Sequence, residues 1–340
     1  MKIIVDIGAC DNPAKMVRGC VEAAKEYTDY TIVIVGDTEF IKSTIGADMP
    51  KNIAIEHASD VISNDDTPTR AIRQKPDSSL VRAINLLNGS DDAVGLLSGG
   101  STGAVLTGAT LMVGRIKGVH RPMLTCFMPT AVEGKLVCIA DCGANVDSKP
   151  EFLAQFAVMA NMYVGALFGI EKPRIGLLSV GAEDHKGDER SKATFALLKQ
   201  STDLNFVGNV EARYALTGDY DIIITDGFAG NVLIKSVEGT AKMVMTELKN
   251  AMMSSLKSKI GALLMKKSVY KLKDRMDYHA YGGAAFLGVK KIVVKTHGSS
   301  NEVSTKASIR NIIRMYQNNI IDKIKQGMAV EETDTTNAGE

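Results

Sequence analysis

The chain has no tryptophan, and aromatic residues fill only 5% of its 340 positions. Platforms for single-stranded nucleic acid are built from aromatic rings, so that class of binding is not expected. Net charge of one sign is also missing. Forty Lys and Arg against 39 Asp and Glu leave +1, so no global basic field draws the chain to nucleic acid, although a local basic face remains open. Its five cysteines are an odd number in a chain too long to need disulfide staples, which fits a reducing cytoplasm. Cys138 and Cys142 lack a matching histidine pair, so no zinc site is expected. No apolar stretch is expected to run ~18 residues without charge, and hence no spanning helix. The first residues, MKIIVDIGACD, enter a strand pattern directly and lack the apolar core and cleavage site of a signal peptide.

What is present is ordinary globular composition, 45% hydrophobic and 23% charged. KIIVDI, TIVIVG, NIAIEH, DAVGLLS, RPMLTCFMP, KLVCIAD, RIGLLSVG, LNFVGNV, YDIIITDG and KKIVVKTHGSS read as strands. Helix patterns lie between many of them, at 14–27, 78–88, 102–113, 150–168, 189–199 and 229–248. This alternation, with near-continuous apolar strands, predicts an α/β fold: a layered, mainly parallel sheet with helices on both faces. No repeat and no Pro/Ser-rich linker divides it. The expectation is a single α/β catalytic unit over 1–330 with a cleft between two lobes, then a polar, frayed tail over 331–340.

Polar, glycine-containing loops gather where strands end. One is SGGSTG, from Ser98 through Gly99, Gly100, Ser101 and Thr102 to Gly103. It offers backbone N–H groups, hydroxyls and a helix start, which suits an anion, phosphate above all. A tight βα turn with a Ser/Thr cap explains the same residues. DCGANVDSKPE, VGAEDHKGDE, TDGFAGN and THGSSN follow other strands. Ligands of open α/β sheets bind outside the carboxyl ends of strands, so five such loops predict one shared site.

The loops hold no Walker-type GK[ST] and no dinucleotide GxGxxG after the first strand. Asp6, Asp11, Asp141 and Asp226 all lie at strand ends, and a Mg²⁺ site would need them to converge. The anion-friendly set suits phosphoryl or acyl-phosphate chemistry by positioning and charge stabilisation. His297 reads either as a structural cap or as a neighbour of bound phosphate, and Lys186 either as a solvated charge or as a cation aimed into the cleft. Farther on, Met252, Met253, Leu256, Ile260, Leu263 and Leu264 recur at helical spacing among eight cations. A stripe that favours burial beside cations that cannot be buried unpaired predicts a protruding helical hairpin over 248–280.

Several long segments together resemble the bacterial acyl-carrier-protein:phosphate acyltransferases of phospholipid synthesis. They are KPDSSLVRAI, LLSGGSTGAVL, GRIKGVHRP, DCGANVDSKPEFLAQFAVM, GLLSVGAEDHKGDE, DGFAGNVLIKSVEG, DYHAYGGAAFLG and HGSS, and the likeness runs nearly end to end. It implies a fold similar to the phosphate acetyltransferases and the isocitrate and isopropylmalate dehydrogenases. It also implies a homodimer that moves acyl chains from acyl carrier protein to inorganic phosphate, with no cofactor and no metal. The expected place is the cytoplasm, peripheral on the anionic inner membrane face. Carried onto this chain, the candidate catalytic residues are Lys186, Asn231, Asp226 and His297. Lys186 and Asn231 would donate to the reacting groups, and Asp226 would orient its neighbours. The candidate phosphate- or substrate-binding residues are Asp6, Asp11, Ser98, Gly99, Gly100, Ser101, Thr102, Gly103, Asn145, Gly227 and Ser299. Two departures stand out. The family's Asp-Ala-Met-Gly-Gly-Asp is Asp6-Ile7-Gly8-Ala9-Cys10-Asp11 here, and its Asn in the second loop is Ser101. The first motivates an alternative, a catalytically weak paralogue acting as a carrier-protein and membrane scaffold. A metal-dependent dehydrogenase of similar fold is a further alternative.

Overall fold

The computed structural model describes residues 1–276, 281–296 and 300–337. Its strands are β1 (Lys2–Asp6), β2 (Thr31–Gly36), β3 (Ile53–His57), β4 (Ala93–Ser98), β5 (Met123–Pro129), β6 (Leu136–Ala140), β7 (Arg174–Ser179), β8 (Asn205–Glu211), β9 (Ile222–Ile224), β10 (Ala284–Leu287) and β11 (Ile292–Lys295). Its helices are α1 (Pro13–Glu26), α2 (Thr38–Ile45), α3 (Pro68–Gln74), α4 (Ser79–Gly89), α5 (Thr102–Gly108), α6 (Pro150–Phe168), α7 (Glu189–Gln200), α8 (Gly227–Met253), α9 (Leu256–Met276), α10 (Glu302–Gln317) and α11 (Ile320–Asn337).

The strands form one sheet in the order β3-β2-β1-β4-β11-β10-β5-β6-β9-β7-β8. Both faces are covered, as the apolar strand sequences require. Ile3, Val5, Ile32, Ile34 and Val294 point into one core, together with Phe156 and Tyr163 of α6 and Ile312 of α10. Ile4, Leu96, Ile139, Ile223 and Val293 point into the other, with Leu80, Ile84 and Val105 of α4 and α5. The period of two along each strand thus divides one sequence between two cores. Helix starts follow side-chain chemistry. Asn12 accepts from Lys15 N with Pro13 at the first helical position, and Asn301 and Ser304 close a reciprocal cap on α10.

Four expectations need correction. The sheet includes β10, a four-residue strand that the sequence reading did not single out. The segment 102–113 is not one α-helix: α5 passes into a π-helical turn at Ala109–Val113. The stretch 152–170 carries no charge, and α6, which holds most of it, is long and apolar enough to cross a membrane by length and composition. Its Leu153, Phe156, Met159, Tyr163 and Val164 are buried in the core instead. The tail is helical through Asn337, where fraying from 331 was expected.

The hairpin also differs in its bounds. α8 runs unbroken from Gly227 to Met253, the chain turns at Ser254 and Ser255, and α9 returns to Met276. The first arm therefore starts well before residue 248. The sequence reading began it there because the Met/Leu stripe and the crowd of cations start at that point, whereas the α8 backbone is already helical from Gly227, with no buried residue beyond Ile234. Residues 277–280 of the expected hairpin lie outside the described residues. The returning arm is pinned at its base: Arg275 donates to the carbonyls of Thr130 and Ala131, and Lys271 pairs with Glu133 at 2.8 Å.

Candidate functional site

Strand directions decide where the polar loops go. β3, β2, β1, β4 and β11 are parallel. β6, β9, β7 and β8 are parallel to one another. Between the two groups, β10 and β5 pair antiparallel with each other and with their outer neighbours, so the groups run in opposite directions. The register then brings their carboxyl ends head to head. Asp6 is level with Ser98, Ser98 with Lys295, and Lys295 with Ala284. One step on, Ala285 is level with Thr125, Thr125 with Ala140, and Ala140 with Ile224. The loops after β1, β4, β11, β6 and β9 therefore leave the sheet along a single line.

Buried carboxylates hold these loops. Asp6 accepts from Gly8 N at 2.9 Å and from Ser98 Oγ at 2.6 Å. Burial pushes its carboxyl up, and the Ser98 and Gly8 hydrogen bonds pull against that rise. Ser98 Oγ in turn accepts from Gly100 N at 3.0 Å, so this hydroxyl shapes the glycine turn from within. Asp141 is the counterpart in the opposing group. Its carboxylate accepts from the backbone N–H groups of Leu124, Gly143, Ala144 and Asn145, and from Asn145 Nδ2. Burial pushes Asp141 up as well, against these donors. Asp226 caps α8 through Phe228 N and Ala229 N, both at 2.9 Å, and pairs with Arg190 at 2.7 Å.

An open cavity of about 210 Å³ lies between β5, the ends of β10 and β11, and the starts of α5 and α8. Its polar side presents Thr102, Asn231, Lys235, Lys295 and Thr296, and its apolar side presents Leu124, Phe127, Met128 and Ile234. Asn231, Lys235 and Glu238 lie on one face of α8 by helical spacing, and Lys235 pairs with Glu238 at 2.8 Å. Lys295 donates to the Thr296 carbonyl at 2.8 Å, and burial pushes its ammonium below the ordinary lysine value.

Thus Thr102 and Asn231 of the sequence candidates line the cavity. Gly99 and Gly100 are buried in the turn that leads to it, and Ser101 caps α5 by accepting from Ala104 N at 3.2 Å. Gly103 is exposed. Asn145 belongs to the Asp141 network and also donates to the Pro122 carbonyl, while its own carbonyl accepts from Gly227 N at 2.7 Å. Asp11 is exposed at the entry to α1. Lys186 is exposed on the 181–188 loop, where its backbone N–H reaches Glu183 O at 3.0 Å, and it is not part of the cavity wall. His297 and Ser299 lie outside the described residues. The sequence reading missed Lys295, which it counted as part of a strand, and Lys235, whose spacing of four from Asn231 was the available signal. It named Asp141 only as a metal candidate. Among the described residues no three His, Cys, Asp or Glu side chains gather as a metal site.

At the first loop, Ala9 adopts φ +52°, a conformation that costs an alanine energy and a glycine almost none. Ala9→Gly is expected to stabilise the fold by about 0.5–1 kcal/mol, read as a higher urea midpoint at unchanged slope. An unchanged midpoint would show that the loop carries no such strain.

Residues 1–323 match the family described as "Fatty acid synthesis protein". The chain belongs to that family. Among its relatives, a protein named "Phosphate acyltransferase" from Clostridium botulinum (strain Alaska E43 / Type E3) is 46% identical over 330 residues, covering 96% of this chain and 98% of the relative. Among solved structures, a branched-chain phosphotransacylase from Enterococcus faecalis V583 superposes with a TM-score of 0.60 at 17% identity, over 93% of this chain and 99% of that one. A 4-hydroxythreonine-4-phosphate dehydrogenase from Klebsiella pneumoniae gives a TM-score of 0.51 at 12% identity, over the same 93% and 99%. These two likenesses establish the architecture, a layered α/β fold shared across different chemistries. The family assignment rests on the match over most of the chain and on the full-length relatives.

Proposed function

We propose that this protein transfers a fatty acyl group from acyl carrier protein to inorganic phosphate, giving acyl-phosphate for phospholipid synthesis. The cavity carries this reading: it joins a polar end, at Thr102, Asn231, Lys295 and Thr296, to an apolar wall, at Leu124, Phe127, Met128 and Ile234. That division suits a phosphate beside a thioester with an apolar tail. The relatives' name, phosphate acyltransferase, supports the same reaction.

Phosphate attacks the thioester carbon, the new C–O bond forms, and the C–S bond breaks to release the carrier thiolate, which takes a proton from water. The phosphate dianion is already nucleophilic at neutral pH, so positioning and charge stabilisation supply the catalysis. Lys295 and Thr102 hold the phosphate, and Asn231 donates to the oxyanion that develops on the carbonyl oxygen. Purified protein given acyl carrier protein charged with palmitate, together with phosphate, should form a product that hydroxylamine traps as the hydroxamate. Absence of hydroxamate while the charged carrier still binds would favour the scaffold that the Ala9-Cys10 departure suggests.

The hairpin supports the rest of the reading, a homodimer in the cytoplasm that seats reversibly on the anionic inner membrane face. Leu256, Leu263 and Leu264 are 77%, 71% and 82% exposed, among Lys257, Lys259, Lys266 and Lys267. Each cation near an anionic surface contributes about 1 kcal/mol, weakened by salt. Changing Leu263 and Leu264 together to Glu is expected to abolish liposome binding or split the dimer, with the circular dichroism of the α/β core kept. A variant that folds, stays dimeric and binds liposomes would make the hairpin an ordinary solvated surface.

A further inference from the structure

A second opening, of about 530 Å³, lies beside the candidate cavity. Three segments build walls for both. Thr102, Leu124 and Cys142 face the first cavity, whereas Leu106, Pro122 and Asn145 face the second. Leu106 lies one turn along α5 from Thr102, a rise of about 6 Å. The two openings therefore lie against neighbouring residues of the same three segments.

The second opening is both basic and apolar. Arg115, His120 and Arg121 line it together with Leu106, Leu111 and Phe152. Arg115 donates to the carbonyls of Val119 and His120, which fixes its guanidinium across the 115–120 loop. The Arg121 guanidinium lies 6.0 Å from the Phe152 ring centroid, and the His120 ring 5.6 Å from it. Neither arginine forms an ion pair among the described residues, and both side chains are exposed. In a chain of net charge +1, two arginines without carboxylate partners at one mouth form a local field rather than a share of a general one. Planar guanidinium groups match phosphodiester oxygens, and Leu106 and Leu111 suit the uncharged chain that follows such a group.

We propose that the Arg115–His120–Arg121 face receives the acidic surface of the acyl carrier and the phosphodiester of its prosthetic arm. The arm then passes Leu106 and Pro122 to present its thioester at Thr102 and Asn231. The proposal rests on the carrier being the acyl donor, as proposed above. It goes beyond that reading by assigning the entry.

The test compares two donors on the Arg115→Glu/Arg121→Glu variant: the acylated carrier, and the same acyl group as a thioester of N-acetylcysteamine, which has neither phosphate nor protein. With the carrier, kcat/KM is expected to fall about 30-fold, mostly through KM, because docking charges act on encounter and retention. With the small thioester, turnover should stay within twofold of the unmodified protein. Fluorescence anisotropy of labelled carrier should show the same loss of affinity. Raising salt should weaken the carrier's use by the unmodified protein towards the variant's level. If the double variant fails to fold, Arg121→Gln alone is measured in the same way, with about a fivefold effect expected. Equal carrier kinetics in variant and unmodified protein would overturn the docking site and leave the acyl-transfer reading intact. Parallel loss on both donors would also overturn it, placing these residues in folding or chemistry. If the unmodified protein uses the small thioester but not the carrier, the donor reading falls, and the docking site with it.

Discussion

Gly230→Ala is expected to destabilise the protein by about 3–5 kcal/mol, a large share of the roughly 5–15 kcal/mol by which a native protein is stable. A Cβ at this position would stand 2.0 Å from the Asp141 carbonyl oxygen and 3.1 Å from its carbonyl carbon, with Thr225 Cγ2 at 2.9 Å. The obstacle is backbone, and that backbone cannot give way. The Asp141 carboxylate gathers four backbone N–H groups from both sides of it, and Asn145 ties the same loop to Pro122. α8 would have to move outward instead, and Asn231 is the next residue on it. Gly239→Ala is the matched control, since nothing lies within 4 Å of a Cβ there. It should be neutral or stabilising by up to about 1 kcal/mol through helix propensity. Urea melts of the two variants give the comparison, and equal midpoints would refute the close approach of α8 to the Asp141 loop.

Lys295→Met is expected to lower acyl-phosphate formation by about 10²–10³-fold, the scale of losing one preorganised donor. Stability should move the other way or not at all. Methionine fills similar space without a charge to desolvate, and the lysine's recorded hydrogen bond is to a single carbonyl. A merely structural lysine would lose stability together with activity, so the two measurements separate the roles. The pH profile adds a sign. Burial depresses the Lys295 ammonium from its ordinary 10.5. Activity that needs this charge should therefore fall on the alkaline side before pH 10.5 is reached. Between the depressed native value and 10.5 the unfolded chain binds more protons at this residue than the native one. The contribution of Lys295 to stability therefore rises with pH through that window while activity falls. The Met variant should lack both trends.

The sequence was most legible where its period was strong. TIVIVG, RIGLLSVG and the helix at 150–168 stand close to where they were read, because continuous apolar strands and a capped helix need no tertiary information. β10 was illegible. Ala284–Leu287 is four residues with two alanines, too short to show a period. Yet this strand reverses the sheet and brings the two sets of loops face to face, so the shared site was inferable only from loop composition. The same limit explains the lysines. Lys186 stood out in a polar loop, whereas Lys295 was hidden at the end of an apolar strand, and only the register places it beside Ser98 and Ala284. Carboxylates were legible as types but not as roles. Asp6 was read as a substrate-binding candidate and Asp141 only as one of four aspartates that a Mg²⁺ site would need to converge, and the structure turns both inward onto loop hydrogen-bond donors.

The head-to-head register has an electrostatic consequence. Each strand whose end lies on that line leads into a helix: β1 into α1, β4 into α5, β6 into α6, β9 into α8 and β11 into α10. The first N–H groups of a helix have no partner within it, and they carry a partial positive charge of roughly half a unit. The two strand groups oppose each other, and helix starts that face one line from opposite sides add their positive potentials there. These peptide dipoles add positive potential along the line, against the buried carboxylates of Asp6, Asp141 and Asp226. Dipoles fixed within the fold are shielded by salt far less than exposed side chains. The affinity for phosphate should accordingly change little with ionic strength, while the encounter with a charged protein partner at the surface should change steeply.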